Sequence, residues 1–304
     1  ERFESIALQC FEALRDLARD PSTGRTLVQC VIPNDQNGQI HRGLSALLRT
    51  VAMEQSRFVG QVVGIDADLD ADALAARLHT LKDRPTATLV QCGPDRMQSL
   101  DWQPVKPRNA VGSVYKDDGV YVITGGLGAL GRLFAENIVE QCSHATVVLT
   151  GRSPPTDAIV QDVNSLQRAH THVVYMQLDL HDFDSVSTAF DDLASRYRKV
   201  NGIIHCAGMI ADNLIAKKST QDFRATLLPK VTGTRHLDQA SRHLDLDFFV
   251  VFSSIASAMG SIGQSDYAAA NGFMDHFIQY RRERVRRGER SGASVSINWP
   301  YWQD

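Results

Sequence analysis

The sequence predicts an α/β fold: a doubly wound parallel sheet in its second half, preceded by a smaller α/β unit. Two observations lead to this prediction. Short apolar runs alternate with longer stretches of helical periodicity along the chain. In the second half the apolar runs are continuous, as expected of parallel strands covered by helices on both faces. Ligands of such a sheet bind beyond the carboxyl ends of its strands.

The front half contains predicted strands without a phosphate-binding turn. Strands are predicted in "RTLVQCVIP", "FVGQVVGID" and "ATLVQCG", and helices in "ERFESIALQCFEALRDL", "GLSALLRTVAMEQ" and "DADALAARLHTLKD". No glycine-rich turn follows any of these strands, so we interpret this half as a unit that binds no nucleotide. Residues 101–118 carry two prolines and little periodicity, which indicates a linker. We therefore predict a front subdomain at 1–112 and a second subdomain at 113–304.

The second half alternates more regularly. Strands are predicted in "GVYVITG", "ATVVLTG", "VVYMQLDL", "NGIIHCAG", "DFFVVFSS" and "ASVSINW". Helices are predicted in "ALGRLFAENIVEQC", "TDAIVQDVNSLQRA" and "DSVSTAFDDLASRY", around Lys230, and from about Asp266 to Arg287. This order of elements favours one continuous sheet.

The stretch "VYVITGGLGALG", residues 120–131, predicts a phosphate site because it joins a strand to a helix. Gly125 and Gly126 allow the tight turn, Gly128 lets the backbone approach a pyrophosphate, and Gly131 lets the helix pack on the sheet. The helix start supplies N–H groups and a favourable dipole. The alternative is a tight turn without a ligand.

The end of the second strand of this sheet indicates which nicotinamide nucleotide binds. An NAD site places an acidic residue there for the ribose 2′-hydroxyl. Here "LTGRS" places Arg152 and Ser153 instead, and a guanidinium pairs with a 2′-phosphate. NADPH is therefore the expected cofactor, unless Arg152 is an ordinary surface residue. Asp179, at the end of the third strand, is placed to bond the adenine amine.

Four polar residues form a candidate carbonyl-reduction set. Ser254 follows the fifth strand, Tyr267 and Asn271 are four residues apart on one helix face, and Lys230 precedes them. A ketone under reduction needs a proton donor and hydrogen bonds at its oxygen. A nearby ammonium is expected to lower the pKa of the tyrosine. Singly, each residue also fits an ordinary structural role, such as a helix cap or a surface cation.

Composition and charge exclude several other functions. The net charge of −3 gives no reason to expect nucleic acid or an acidic membrane surface. The five cysteines are scattered, which argues against a disulfide framework or a metal site and favours the cytoplasm. No apolar stretch approaches a membrane span, and the start does not resemble a signal peptide.

"RRERVRRGER" is interpreted as a solvated helix face, with a docking patch for an acidic partner as the alternative. Since the chain lacks an initiating Met, we expect it to be part of a longer protein.

These motifs resemble the ketoreductase domain of modular polyketide synthases, in the short-chain dehydrogenase/reductase family. The resemblance rests on "TGGLGALG", "LTGRS", "IIHCAG", "LLPKVTGT", "FSSIAS", "GQSDYAAANGFMD" and "SINWP", with "GLSALLRTVAMEQ" in front. It covers nearly the whole chain and is strongest to synthases with trans-acting acyltransferases. It implies a Rossmann-like catalytic subdomain behind a truncated, cofactor-free Rossmann-like structural subdomain.

The resemblance also implies roles for individual residues. Tyr267 would donate the proton and Ser254, rather than Ser253, would hold the carbonyl, with Lys230 and Asn271 completing the set. Most free-standing reductases place the lysine at the position of Asn271, so the exchange argues against that class. The predicted cofactor residues are Thr124, Gly125, Gly126, Gly128, Leu130, Gly131, Arg152, Ser153, Asp179, Leu180, Cys206, Ala207 and Gly208.

In the resembling family, an aspartate after the fourth strand accompanies the D-configured, or B-type, β-hydroxyl. Asp212 in "MIADNL" matches the last position of that motif, although the two positions before it differ. Met259 stands where the opposite type carries a tryptophan, eight residues before the tyrosine. We expect a B-type product and name Asp212, Met259 and Gln264 as stereocontrol residues.

The implied substrate is a β-ketoacyl chain on the phosphopantetheine arm of an acyl carrier protein, with other synthase domains in the same polypeptide. The lid that normally follows "NWP" is expected to be missing or only begun at Asp304. Two alternatives remain: a catalytically inactive nucleotide-binding scaffold, and a fatty-acid-type or free-standing ketone reductase.

Overall fold

A computed structural model of the chain describes residues 2–100, 103–105 and 112–301. Within these ranges the strands form two sheets, one on each side of the predicted linker. Of that linker, positions 101–102 and 106–111 lie outside the described residues.

The front sheet has the order β1-β2-β3-β4, in which the first three strands are parallel and β4 is antiparallel. The sequence missed β4 and a short 3-10 helix at Gly38–Gly43, because neither is long enough to show a periodicity. The elements of this subdomain are α1 (Arg2–Arg19), β1 (Thr26–Pro33), α2 (Leu44–Glu54), β2 (Phe58–Ile65), α3 (Ala71–Leu81), β3 (Leu89–Cys92) and β4 (Met97–Ser99).

The second sheet confirms the prediction of a doubly wound parallel fold. All its neighbouring strands are parallel, in the order β10-β9-β8-β5-β6-β7. The order reverses between β5 and β8, and this switch point opens a crevice at the carboxyl ends of the strands. The elements are β5 (Gly119–Thr124), α4 (Ala129–Gln141), β6 (Ala145–Gly151), α5 (Asp157–Leu166), β7 (Thr171–Gln177), α6 (Phe183–Tyr197), β8 (Gly202–His205), α7 (Thr220–Ala240), β9 (Phe248–Ser254), α8 (Ile255–Met259), α9 (Ser265–Arg286) and β10 (Ala293–Trp299).

The two subdomains share a hydrophobic core. Phe11 of α1 stacks on Phe223 of α7 with ring centroids 4.2 Å apart, and Phe3 packs on Phe273 of α9 at 4.9 Å. Helix α9 also lies against the backbone at the start of α2, where a Cβ added to Gly272 would stand 2.7 Å from the Gly43 oxygen. These contacts fix α2 beside the helix that carries Tyr267.

The basic run is only partly the solvated face that the sequence indicated. Arg281 and Arg290 are buried and both bind Asp238, at 2.9 Å and 3.0 Å. Buried guanidinium groups need such a partner because desolvation is costly. Arg286 and Arg287 pair with Glu283 on the surface. These paired charges give no support to a docking patch for an acidic partner.

Candidate active site

The glycine turn adopts the tight geometry that its sequence predicts. Gly125 has a φ of +64°, which glycine tolerates best, and Gly128 is the N-cap of α4. A Cβ on Gly126 would stand 2.8 Å from the Ile123 oxygen, and one on Gly131 would stand 2.6 Å from the Gly125 oxygen. The turn therefore leaves no room for side chains at these two positions. Leu130 is half-buried on α4.

A cavity of about 370 Å³ lies over this turn, at the switch point of the sheet. It is long enough to follow the carboxyl ends of several strands, as a dinucleotide requires. Most of the predicted cofactor residues line this cavity, so the residues present fit a bound dinucleotide. Its predicted lining residues are Gly125, Gly128, Arg152, Ser153, Leu180, Cys206, Ala207 and Gly208.

Arg152 and Ser153 are exposed at the rim of this cavity. Their backbone is held from β7: Gln177 donates to the Arg152 oxygen at 2.9 Å, and the Tyr175 hydroxyl donates to the Ser153 oxygen at 2.7 Å. The sequence did not identify these supports. They leave the guanidinium itself free to face a 2′-phosphate.

Asp179 is exposed just beyond β7 and accepts from the backbone N–H of His181 at 3.0 Å. Its neighbours Leu180 and His181 line the cavity. The predicted role of Asp179 toward adenine stays a prediction.

Thr124 is fully buried and bonds to a histidine that the sequence did not single out. The Thr124 hydroxyl lies 2.6 Å from Nδ1 of His205, whose Nε2 donates to the Pro229 oxygen at 3.1 Å. Burial, together with the charge of Lys230, lowers the pKa of His205 to about 3. The neutral ring thus links β5, β8 and α7 immediately before Lys230. In the sequence, the only sign of this role of His205 was its place at the end of a predicted strand.

Lys230 is buried rather than a surface cation. Its Nζ donates to the Phe252 oxygen at 2.8 Å and lies 5.5 Å from the centroid of the Tyr267 ring. A Cβ on Gly208 would stand 2.8 Å from its Cε, so this cavity-lining glycine makes room for the lysine. Burial lowers the pKa of Lys230 to about 8.

Ser254 ends β9 and caps α8, where its hydroxyl accepts from the N–H of Ala256 at 3.2 Å. Ser253 faces away from the site, since its hydroxyl is buried and donates to the Asn271 oxygen. This alternation follows from strand geometry.

The expectation that Tyr267 has a lowered pKa was wrong for the protein alone. Burial raises the pKa of Tyr267, and the side chains of Asn271 and Ser254, which act in the opposite direction, do not offset it. Lys230 is not among the groups that lower it, because its ammonium faces the ring and the Phe252 oxygen. Tyr267 consequently stays a protonated donor at neutral pH.

Asn271 lies one turn after Tyr267 and is fully buried. Its Nδ2 donates to the backbone carbonyl oxygen of Tyr267 at 2.7 Å, while its Oδ1 is buried without a hydrogen-bond partner among the described residues. Such an orphaned acceptor indicates a ligand site.

A partly buried network behind Ser254 escaped the sequence analysis. Asp275 accepts from Ser257 at 2.5 Å, from Ser296 at 2.6 Å and from Asn298 at 2.9 Å. Asn298 also donates to the Ser254 oxygen at 3.1 Å. These bonds fix the backbone that presents the Ser254 hydroxyl.

Of the three predicted stereocontrol residues, Asp212 and Gln264 are hydrogen-bonded to each other. Gln264 donates to both oxygens of Asp212, at 3.0 Å and 3.1 Å, and the charge of Asp212 raises the pKa of Tyr267. Both residues therefore lie beside the proton donor. Met259 ends α8 with 64% of its surface exposed and takes no part in the hydrogen bonds between that pair.

Two further findings concern the rest of the molecule. No helix within the described ranges is long and apolar enough to cross a bilayer. In the same ranges, no three His, Cys, Asp or Glu side chains are grouped as a metal ion would need.

The fold and the site place the chain in the class of Rossmann-like, nicotinamide-dependent reductases. The family model described as "KR domain" matches residues 119–304, so the chain belongs to the ketoreductase (KR) domain family.

The relatives are parts of polyketide synthases. Polyketide synthase PksL of Bacillus subtilis is 37% identical over 305 residues, which is 100% of this chain and 7% of the relative. Polyketide synthase ThaG of Burkholderia thailandensis is 35% identical over 312 residues, with 100% and 5% covered. The chain thus spans a small fraction of these relatives.

Solved structures show the same architecture. A ketoreductase domain from the bacillaene assembly line matches with a TM-score of 0.94 and 35% identity, covering 100% of this chain and 72% of that one. An N-terminal ketoreductase from the macrolactin assembly line matches with a TM-score of 0.76 and 30% identity, covering 91% and 55%.

Proposed function

We propose that this chain is an NADPH-dependent ketoreductase domain of a larger cytoplasmic polyketide synthase. Its substrate is a β-ketoacyl chain on the phosphopantetheine arm of an acyl carrier protein, and its product is the β-hydroxyl. The observation that carries the proposal is the convergence of Lys230, Ser254, Tyr267 and Asn271 from three segments, with Lys230 packed against Gly208 in the lining of the nucleotide cavity.

Each of these residues has a defined task. When bound along the cavity lined by Gly125, Gly128 and Arg152, NADPH would supply the hydride for the carbonyl carbon. The Ser254 hydroxyl donates to the carbonyl oxygen and the Tyr267 hydroxyl gives that oxygen its proton, so that the negative charge never accumulates. The Lys230 ammonium, which does not lower the pKa of Tyr267 in the protein alone, would stabilise the phenolate that remains once substrate and nucleotide are bound. Asn271 offers its unpartnered Oδ1 as a hydrogen-bond acceptor to the groups that return a proton to the Tyr267 phenolate.

Two features support a synthase domain over a free-standing reductase. The lysine comes from α7, while Asn271 stands four residues after the tyrosine, where most free-standing reductases carry their lysine. The front subdomain also packs its helices on α7 and α9. The small share of the polyketide synthases that the chain spans supports further domains in the same polypeptide.

Turnover of NADPH separates this enzyme from an inactive scaffold. The purified protein is given NADPH and either a simple ketone, such as a decalone, or a short β-ketoacyl thioester. We expect NADPH oxidation by the native protein and about a 10²- to 10⁴-fold lower kcat for Tyr267→Phe, with cofactor affinity retained. Tyr280→Phe, on the same helix, is the matched control and keeps its activity. Binding of NADPH without oxidation by the native protein would overturn the proposal.

We also propose the B-type, D-configured product. Support comes from Asp212, which Gln264 fixes beside Tyr267. The test is chiral chromatography of the alcohol formed from a diketide thioester. A D-hydroxyl is expected, and an L-hydroxyl would refute this assignment.

A further inference from the structure

Two loops carry the side chains that face the substrate beside Tyr267. We call residues 209–215 and 260–264 the substrate loops; the first carries Asp212 and the second carries Gln264. The loops bond to each other, since the N–H of Asn213 donates to the Gly263 oxygen at 2.9 Å and Gln264 donates to Asp212. Their relative position therefore sets where the Asp212 carboxylate stands.

Glu54 of the front subdomain bridges these two loops. It is the last residue of α2, and its Oε2 accepts from the N–H of Ile215 at 2.6 Å. Its Oε1 accepts from the N–H of Gly263 at 3.0 Å. One turn earlier, the hydroxyl of Thr50 accepts from the N–H of Ser261 at 3.2 Å. Thus α2 holds one substrate loop at one point and the other at two.

The second loop is held largely by hydrogen bonds of its backbone. Gly260 and Gly263 have φ values of +80° and +84°, so the chain turns twice there without side chains to pack. Ile262 is 59% exposed. Backbone hydrogen bonds accordingly carry most of the order of this loop, and Glu54 and Thr50 accept two of them.

A buried ion pair also ties the first loop to the helix that carries Tyr267. Lys218, after the first loop, forms a fully buried ion pair with Asp266 at 2.9 Å and also donates to the Ala211 oxygen. Asp266 in turn accepts from the N–H of Tyr267 at 2.8 Å. Loss of the Glu54 bonds should therefore loosen the loops at Ile215 and at Gly263, the residue before Gln264, while the buried ion pair keeps the helix carrying Tyr267 in position.

The environment of Glu54 requires a carboxylate. Burial raises its pKa, and the N–H groups of Ile215 and Gly263 together with Lys218 act in the opposite direction. An amide of the same shape has one oxygen and one NH₂ group, so it satisfies one loop and turns a donor toward the N–H of the other. Glu54→Gln therefore breaks the bridge without changing its volume.

We propose that Glu54 is a positioning residue for the reduction. Acting from the front subdomain, it fixes Asp212 and Gln264 relative to Tyr267 and so controls which face of the ketone is reduced. This inference rests on the proposed ketoreductase function. It assigns to α2 a part in stereochemical control in addition to its contacts with α9.

The test compares Glu54→Gln with a matched control. Glu12→Gln makes the same change at a second contact between the subdomains, where the Thr220 hydroxyl donates to Glu12 at 3.2 Å, away from the substrate loops. Three quantities are measured in each variant: the ratio of D- to L-hydroxyl product from a β-ketoacyl thioester, kcat and KM separately, and amide hydrogen exchange at Ile215 and Gly263. Thermal unfolding reports stability.

For Glu54→Gln we expect a D:L ratio about two- to tenfold lower, the effect of one lost hydrogen bond. Exchange at Ile215 or Gly263 should be faster by a similar factor, whereas Glu12→Gln keeps the native ratio and exchange. A merely stabilising role would change the folded fraction but not the ratio. An unchanged ratio in Glu54→Gln overturns the proposal, whatever its stability.

Two further outcomes are covered by the same design. If Glu54→Gln does not fold, Glu54→Asp, which keeps the charge but is too short to reach both loops, replaces it with the same expected shift in ratio. If the native protein gives no turnover, the proposed function fails, and amide exchange alone decides about the bridge: unchanged exchange at both positions refutes it, and faster exchange supports it.

Discussion

The ammonium of Lys230 lies 5.5 Å from the centroid of the Tyr267 ring, although the two residues come from different helices. The lysine is held there by the Phe252 oxygen, at 2.8 Å, and not by the phenol. Its charge therefore lies near the aromatic ring rather than at the hydroxyl, in a buried environment where charge is weakly screened.

The activity should depend on the protonation of Lys230. Burial lowers its pKa to about 8, from an ordinary value of 10.5, so the ammonium is lost as the pH rises through about 8. The raised pKa of Tyr267 keeps the phenol protonated over the same interval. We expect kcat to fall above about pH 8. Lys230→Met should lose this descending limb and about 10²-fold in kcat. A pH–rate profile tests both statements, and an identical descent in Lys230→Met would contradict them.

Gly128 and Gly131 should respond differently to alanine. A Cβ on Gly131 would lie 2.6 Å from the Gly125 oxygen, so Gly131→Ala should lower the melting temperature. A Cβ on Gly128 would meet only the Gly125 oxygen, at an ordinary 3.4 Å, and would project where a pyrophosphate is expected. Gly128→Ala should keep its melting temperature and bind NADPH at least about tenfold more weakly, a loss of ~1.4 kcal/mol. Calorimetry and a cofactor titration separate the two effects; unchanged NADPH affinity in Gly128→Ala would exclude this phosphate site.

Arg152 should discriminate NADPH from NADH. A charge-assisted bond to the 2′-phosphate contributes about 1.5–3 kcal/mol, or roughly a 10- to 100-fold change in affinity. Arg152→Ala should raise KM for NADPH by that factor and leave KM for NADH unchanged. Arg168→Ala, another arginine with its guanidinium bonded at the surface, is the control. Equal effects on both nucleotides would show that Arg152 does not bind the 2′-phosphate.

His205 should make the fold sensitive to acid. Its pKa is about 3 in the folded protein and about 6.5 in the unfolded chain, so between these values only the unfolded chain binds the proton. Stability is then lost as the pH falls below about 6.5, by about 2 kcal/mol between pH 6.5 and pH 5. Denaturant unfolding at pH 7 and pH 5 should show a smaller loss for His205→Gln than for the native protein. The exposed His172→Gln should retain the native loss, and equal losses in all three proteins would rule out this role of His205.

The sequence predicted the second sheet well because its strands are continuous apolar runs, three of which are followed by a glycine. It also predicted that Ser254, Tyr267 and Lys230 act together. It could not predict the raised pKa of Tyr267, because that depends on how deeply the phenol is buried and on the direction in which Lys230 donates. Nor could it find β4, a three-residue edge strand defined only by its pairing with β3.

The sequence by itself determined the order of elements, the glycine turn and the chemical types of the reacting side chains. These follow from backbone preferences and hydrophobic periodicity, which are local properties. Only the tertiary structure decided that His205 meets Pro229, that Asp275 lies behind Ser254, and that Glu54 bridges two loops far along the chain. Such contacts join residues distant in sequence, and their geometry is set by how the helices pack on the sheets.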